Sequence, residues 1–344
     1  MVTLRDVARE TGTSYATVSR ALNGKSRVSP VTQKRVLEVA RRLGYRPNHA
    51  GRVLQSGKTN TIGLILPCYG DPHHNEVAQT IQEEAWQRQH ELMTVSFEMD
   101  PNRERTCLAN MLQRKCDGVI AYLARLTPVE ELIRRFWEQR LPCVVLGLPH
   151  DVHDTPVDGI GLDLVAGIEQ VIEHLVGLGH RRIAMVVDRI ASSGSIRDRV
   201  LLFRAGLRRA GMQDCSRNIL FQPSTGDTVQ DGYKSADRLL REYPDVTAVI
   251  AMDDRMAAGM IRRLYELGRK VPDDISIVGT DDMWIARTLV PSLTTIQFSP
   301  EKIGKTAIEI FFDRLDRKTW EQPKRIVLPT TLVVRESTGP AKSG

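Results

Sequence analysis

What the chain lacks narrows its possible roles early. None of its 344 residues fall in an apolar run of 18 or more, so no membrane-spanning helix is expected. Its five cysteines, at 68, 107, 116, 143 and 215, form no CxxC pair. That spacing offers neither a disulfide framework nor a zinc knuckle, and it points to free thiols in a reducing compartment. No nucleophile elbow, base–nucleophile pair or cofactor fingerprint stands out, so no catalytic residue, cofactor or metal is expected. Gly51, Gly57, Lys58 and Thr59 imitate a phosphate-binding loop. The motif needs four residues between its glycines, and here there are five; the strand also follows the loop instead of preceding it. The N-terminus has no apolar signal region, and the final ESTGPAKSG has no heptad repeat. A cytoplasmic protein without a C-terminal coiled coil is the expectation.

Positive charge is present, and it is concentrated. Residues 1–60 hold 12 Lys+Arg and 3 Asp+Glu, a net +9, whereas the remaining residues hold 36 and 39, a net −3. The whole-chain +6 therefore sits entirely in the N-terminal segment. A surplus of that size in so short a stretch is the footprint of a phosphate binder.

The same segment reads as three short helices. Thr3 can cap the first, with Asp6 completing a near capping box, and Leu4, Val7 and Ala8 give it an apolar face that Gly12 ends. Ser14 caps a second helix running to about Asn23, with Val18 and Leu22 inward at i, i+4 spacing. Tyr15, Ala16, Thr17, Ser19, Arg20 and Asn23 are left outward, and such side chains suit phosphates and base edges. An ordinary helical bundle would show the same pattern with a merely solvated outer face; the local charge favours nucleic acid. Ser29-Pro30 opens a third helix with Val36, Val39, Ala40 and Leu43 on one side, stopped by Gly44.

DVARETGTSYATVSRALNGKSRVS, followed by RRLGYRPNHAGRVLQSGKT, closely resembles the DNA-binding headpiece of the LacI/GalR family of bacterial transcription regulators, and the resemblance continues along nearly the whole chain. It implies a helix-turn-helix domain over 1–46, a hinge helix or linker over 47–60, an effector-binding and dimerisation domain over 61–338 and a tail over 339–344. It also implies that Leu54 wedges between base pairs from the minor groove, and that Tyr45 belongs with Thr3, Ser14 and the outward residues at the DNA surface. Gly51 departs from the alanine common in the family, at roughly 1 kcal/mol of helix propensity.

Beyond residue 60, short apolar runs alternate with amphipathic helices. TIGLIL, ELMTVSF, GVIAYL, CVVLGL, RIAMVV, AVIAM and ISIVG read as buried parallel strands of an α/β domain with doubly wound sheets. By resemblance the architecture is two-lobed and periplasmic-binding-protein-like. Lobe one covers about 61–160 and 291–323, and lobe two about 161–290 and 324–338, with three crossings between them. The crevice at the carboxyl ends of the strands is the default ligand site.

His73, Arg199, Asp253 and Asp281 are the effector-binding candidates. His73 and its neighbour His74 replace the family's aromatics, and two adjacent histidines alone rarely chelate an ion. Arg199 matches the family arginine that reaches the cleft, where a guanidinium fork suits sugar hydroxyls or a carboxylate; a surface arginine is the alternative. Asp253 departs from the usual asparagine. Asp281 and Asp282 match the family's ligand-binding and structural aspartates, with Asp281 the better cleft candidate, and Asp163 matches an aspartate near the lobe junction. Trp284 could supply an apolar wall or simply pack in the core. The implied protein is a nucleoid-associated transcription regulator, a repressor acting as a homodimer on pseudo-palindromic double-stranded operator DNA and controlled by a small-molecule effector, a sugar or sugar derivative. An enzyme on small carbohydrates and a ligand-insensitive DNA-organising protein are the rivals.

The charge asymmetry makes a direct prediction. Residues 61–344 alone should bind no operator, and the full chain should lose affinity by roughly 10³–10⁵-fold between about 50 and 200 mM salt. Filter binding across that range checks it; a nearly flat response would contradict the assignment.

Overall fold

The computed structural model describes residues 2–22, 28–45, 59–113, 116–123, 129–148, 155–188, 194–212, 218–316 and 320–342. The chain divides into two compact units, Met1–Thr59 and Asn60–Gly344.

The first unit is built from α1 (Leu4–Thr11), α2 (Tyr15–Leu22) and α3 (Pro30–Arg42). The capping box is complete: the Thr3 amide donates to Asp6 Oδ2 at 2.9 Å, and the Asp6 amide donates to Thr3 Oγ1 at 3.4 Å. Gly12 ends α1 at φ 63°, a left-handed conformation that a side chain would strain. Ser14 accepts from the Thr17 amide at 3.1 Å, and Ser29 from that of Thr32 at 3.2 Å. Six small side chains, Val7, Ala8, Val18, Ala21, Val36 and Ala40, fill the core. Val18 and Ala21 of α2 are fully inside; Leu22, the last residue of that helix, is half-buried and packs against the same core.

The second unit holds two six-stranded sheets. Sheet one contains β1 (Thr61–Leu66), β2 (Glu91–Ser96), β3 (Gly118–Tyr122), β4 (Cys143–Leu146), β5 (Asp158–Leu162) and β11 (Arg325–Leu328) in the order β11-β5-β4-β3-β1-β2, all parallel. Sheet two contains β6 (Ile183–Asp188), β7 (Ile219–Gln222), β8 (Ala248–Ala251), β9 (Ser276–Asp281), β10 (Thr294–Gln297) and β12 (Thr331–Val333) in the order β12-β10-β9-β8-β6-β7, with only β12 antiparallel. The connecting helices are α4 (Pro72–Gln87), α5 (Pro101–Gln113), α6 (Glu130–Glu138), α7 (Leu164–Gly177), α8 (Gly194–Arg209), α9 (Thr228–Glu242), α10 (Asp254–Glu266), α11 (Trp284–Thr288) and α12 (Pro300–Asp316).

All seven expected strands form. β2, expected to be buried, lies at a sheet edge and is only half-covered. Two segments change sheets relative to expectation. Residues 294–297 pair with β9 in sheet two, not in lobe one, and residues 325–328 pair with β5 in sheet one, not in lobe two. The reason is register: Thr294 aligns with Val278, and Arg325 with Gly159, and each closes an otherwise open edge of its neighbour. The three crossings therefore fall between β5 and α7, between β10 and α12, and between β11 and β12.

Asp163 organises the first and third crossings. It caps α7 by accepting from the Ala166 amide at 3.0 Å, its amide donates to Leu328 O at 2.9 Å, and its carbonyl accepts from Thr330 Oγ1 at 2.8 Å.

α9 and α10 cross against one another through glycine. A Cβ on Gly232 would lie inside van der Waals contact with the Met256 carbonyl, and one on Gly259 would meet that of Val229. Gly232→Ala gains about 1 kcal/mol of helix propensity but forces apart two backbones, an overpacking cost of about 1–3 kcal/mol or more. Packing wins, so urea unfolding should show a net loss of stability; a stabilised variant would contradict the close crossing.

Candidate functional site

Two surfaces collect the residues singled out by sequence, one on each unit. On the first, the outward side of α2 carries Tyr15 (46% exposed), Ala16 and Arg20 in the open, with Thr17 and Ser19 half-buried beside them. Arg20 has no ion-pair partner among the described residues, so its fork is available. Ser14 and Thr17 hydroxyls bond one another at 2.9 Å. The Thr3 hydroxyl donates to Asp6 Oδ2 at 2.7 Å, so its first use is the cap. Tyr45 packs against the headpiece core, and its amide donates to Ala40 O at 2.9 Å. Asn23 and Leu54 lie outside the described residues.

On the second unit, the carboxyl ends of both sheets open onto one cleft. His73 and His74 occupy the first turn of α4, just beyond β1; Tyr122 ends β3; Arg199 projects from α8, beyond β6; Asp281 ends β9; Phe298 follows β10. The rings form a chain: Tyr122 to His74 at 4.5 Å between centroids, His74 to His73 at 6.0 Å and His73 to Phe298 at 6.2 Å. The Arg199 guanidinium lies 5.8 Å over the Phe298 ring and donates through Nη1 to Met252 O at 2.8 Å. Below it, Leu164, Ile168, Met185, Val187 and Ile250 line an apolar recess.

Six buried side-chain polar atoms lack a hydrogen-bond partner among the described residues, and four of them face this cleft: His73 Nδ1, His74 Nδ1, Tyr122 Oη and Arg199 Nε. Buried polar atoms are normally paired, so their clustering marks a surface shaped to bond something else. The Asp281 carboxylate likewise accepts no hydrogen bond from the described residues, and its backbone is held at φ 101°.

Burial governs the charges. It pushes His73 down to about 4, helped by His74 and Arg199, and lowers His74 as well. It raises Tyr122, and it raises Asp281 well above the carboxylate range despite the opposing Arg199. The histidines are therefore neutral near pH 7, able to donate or accept according to tautomer.

Of the four expected effector residues, His73, Arg199 and Asp281 meet in the cleft. Asp253 is placed differently. It is the N-cap of α10, with Oδ1 accepting from the Met256 amide at 2.7 Å and Oδ2 taken by Arg255 at 2.7 and 3.1 Å. Both oxygens are engaged, which makes it a brace and not a free acceptor. Asp254 is also structural: it accepts from the Met283 amide at 2.7 Å and from Thr295 Oγ1 at 2.6 Å, and burial pushes its carboxyl to about 7. Asp282 is held by Gln297 at 2.8 Å and Arg335 at 2.6 Å. Trp284 is 61% exposed, so it is not a core residue. Tyr122, Phe298 and Arg255 were not singled out by sequence. The first two end or follow strands like many core aromatics, and Arg255 is one of many arginines in helical first turns; nothing local distinguishes them.

Comparisons agree with this geometry. Residues 3–48 match the model for bacterial regulatory proteins, lacI family, and residues 172–338 match that for a periplasmic binding protein-like domain. The HTH-type transcriptional regulator DegA of Bacillus subtilis (strain 168) is 31% identical over 348 residues, covering 98% of each chain. Among solved structures, the lac repressor dimer bound to operator and the anti-inducer ONPF superposes with a TM-score of 0.86 at 27% identity, covering 98% of this chain and 99% of that one. The complex of the transcriptional regulator CelR with cellobiose gives 0.71 at 28% identity, covering 98% and 100%.

The buried, neutral His73 predicts a pH effect of definite sign. Its folded value of about 4 lies below the ordinary 6.5, so its contribution is fully present above 6.5 and is lost as pH falls toward 4. At about 1.4 kcal/mol per unit, that amounts to at most about 3 kcal/mol. Denaturant unfolding from pH 7 to 4 should show wild type losing more stability than His73→Gln; parallel profiles would mean that His73 titrates normally in the fold.

Proposed function

The chain belongs to the LacI family of bacterial regulatory proteins, and on that premise we propose that it is a homodimeric repressor whose hold on a two-fold operator is set by a hydroxyl-rich effector, a sugar or sugar derivative, in the cleft between the two sheets. It is a DNA-binding transcription regulator and not an enzyme.

The observation that carries the effector reading is the convergence of buried polar atoms without a hydrogen-bond partner among the described residues, on His73, His74, Tyr122 and Arg199, with the Asp281 carboxylate; His74 Nδ1 has only a 3.7 Å contact with Asp71 Oδ2. These groups supply donors and acceptors in alternation, while Phe298 and the recess beneath Arg199 offer apolar contact. A polyol with one carbon-rich face satisfies both. Cellobiose, in the complex with CelR, is a ligand of that chemistry.

At the operator, Tyr15, Ala16, Thr17, Ser19 and Arg20 meet base edges and phosphates from the outward side of α2, with Thr3, Ser14, Asn23 and Tyr45 around them and Leu54 as the minor-groove wedge. Arg20 can fork onto a guanine, and Ala16 offers a methyl to a thymine. One headpiece reads a half-site, so a two-fold dimer matches a pseudo-palindrome. The bacterial chromosome in the cytoplasm is the place of action. Among the described residues, no helix is long and apolar enough to cross a membrane.

The test joins the two functions. Full-length protein on a selected operator is titrated with a panel of sugars and nucleobases, and the responsive ligand is then measured by calorimetry on Arg199→Ala and Asp281→Ala. Both variants should keep operator binding and lose the response, with effector affinity reduced by about 10–100-fold, because each removes a hydrogen-bonding partner from the cleft. Wild-type ligand affinity in both variants would place sensing elsewhere.

A further inference from the structure

Two helices from opposite lobes begin at the cleft, and both are capped by aspartate. Asp71 caps α4: its Oδ1 accepts from the amides of His73 at 2.9 Å and His74 at 3.4 Å. Asp253 caps α10 through Oδ1 in the same manner. The second oxygen of each carboxylate goes to one and the same guanidinium. Arg255 Nη2 lies 2.8 Å from Asp71 Oδ2 and 2.7 Å from Asp253 Oδ2, its Nε donates to Asp253 Oδ2 at 3.1 Å, and its Nη1 donates to Gly70 O at 3.0 Å. All three side chains are largely buried.

Without the arginine, two carboxylates would face one another across the opening. With it, the repulsion becomes a bridge between the start of a lobe-two helix and the start of the lobe-one helix that carries the histidine pair. Resting on the reading of this cleft as the effector site, we propose that Arg255 is a positioning residue: it ties the Asp71 cap to the second lobe and so sets His73 and His74 at their distance from Arg199 and Asp281. The fork is essential to this role. Its three nitrogens make four contacts, to two carboxylates and a carbonyl, from one planar fork, whereas a lysine ammonium is a point charge on a flexible stem. Arg255 donates no hydrogen bond to His73, His74 or Asp281; its bonds go to Asp71, Gly70 and Asp253, and it positions the histidines through Asp71.

Hydrogen exchange on the full-length protein tests this without operator or effector, so its outcome is independent of the sensing assignment. In Arg255→Ala, the capped amides of His73 and His74 should exchange about tenfold faster, as expected when one member of a largely buried ion pair is removed. Asp71→Asn keeps a competent cap but removes the charge; in that background Arg255→Ala should add nothing at His73 and His74. Arg255→Lys should show the same local increase at smaller amplitude, and it serves if the alanine variant does not fold. Three results would overturn the proposal: wild-type exchange at His73 and His74 with only the Met256 amide loosened, an undiminished effect in the Asp71→Asn background, or an even rise through both sheets.

Discussion

The effector domain depends on the way its chain passes between two sheets three times. β11 completes sheet one and β12 completes sheet two, with only residues 329–330 between them. The Thr330 hydroxyl donates to the Asp163 carbonyl on the neighbouring crossing, and a Cβ on Gly167 would press into that same hydroxyl, so the strands of the junction lie as close as atoms allow. Each lobe therefore borrows an edge strand from beyond a crossing. The lobes are joined by three short connections, at 163, 298–299 and 329–330. A cleft at the carboxyl ends of both sheets follows from that topology.

The cleft's chemistry follows from its depth. Desolvation is the largest influence on His73, His74, Tyr122 and Asp281 alike, and it drives each toward its neutral form. The charges of the frame are pinned: Asp71 and Asp253 by Arg255 and their own helix amides, Asp282 by Arg335. A lining of neutral polar groups with the Arg199 guanidinium among them, framed by fixed ion pairs, suits a hydroxyl-bearing molecule, since each hydroxyl can both donate and accept. The ion pairs hold the geometry, and the neutral groups are left to discriminate between ligands.

The DNA-reading unit is stabilised on a different scale. Its core is six small side chains, reinforced by a capping box and two serine caps. A domain this small is marginal alone, and such economy suits a surface that reads DNA by a few exposed groups on one short helix. The whole basic surplus lies in this segment, so phosphate attraction and base reading are kept apart from the slightly acidic sensing domain.

Much of this was legible beforehand because it is local. The caps at Thr3, Ser14 and Ser29, the stop at Gly12, the outward set on α2 and the seven strands of the α/β domain are each written within a few neighbouring residues, as periodicity, capping chemistry or β-branched runs. β5, with two glycines in DGIGL, the short β10, and the edge strands β7, β11 and β12 carry too little of that signal. Sheet membership was not legible, since whether 294–297 or 325–328 joins one sheet or the other depends on partners more than 100 residues away in the pairing with β5, and on a crossing that no local propensity records. The same holds in the cleft. Sequence could nominate His73, Arg199 and Asp281 as residue types that follow strands. Only the packed lobes decide that Asp253 is consumed by a cap and an arginine, that Tyr122 and Phe298 complete the ring chain, and that one guanidinium joins Asp71 to Asp253, because residues 184 positions apart meet only when the tertiary fold brings both helix N-termini to one opening.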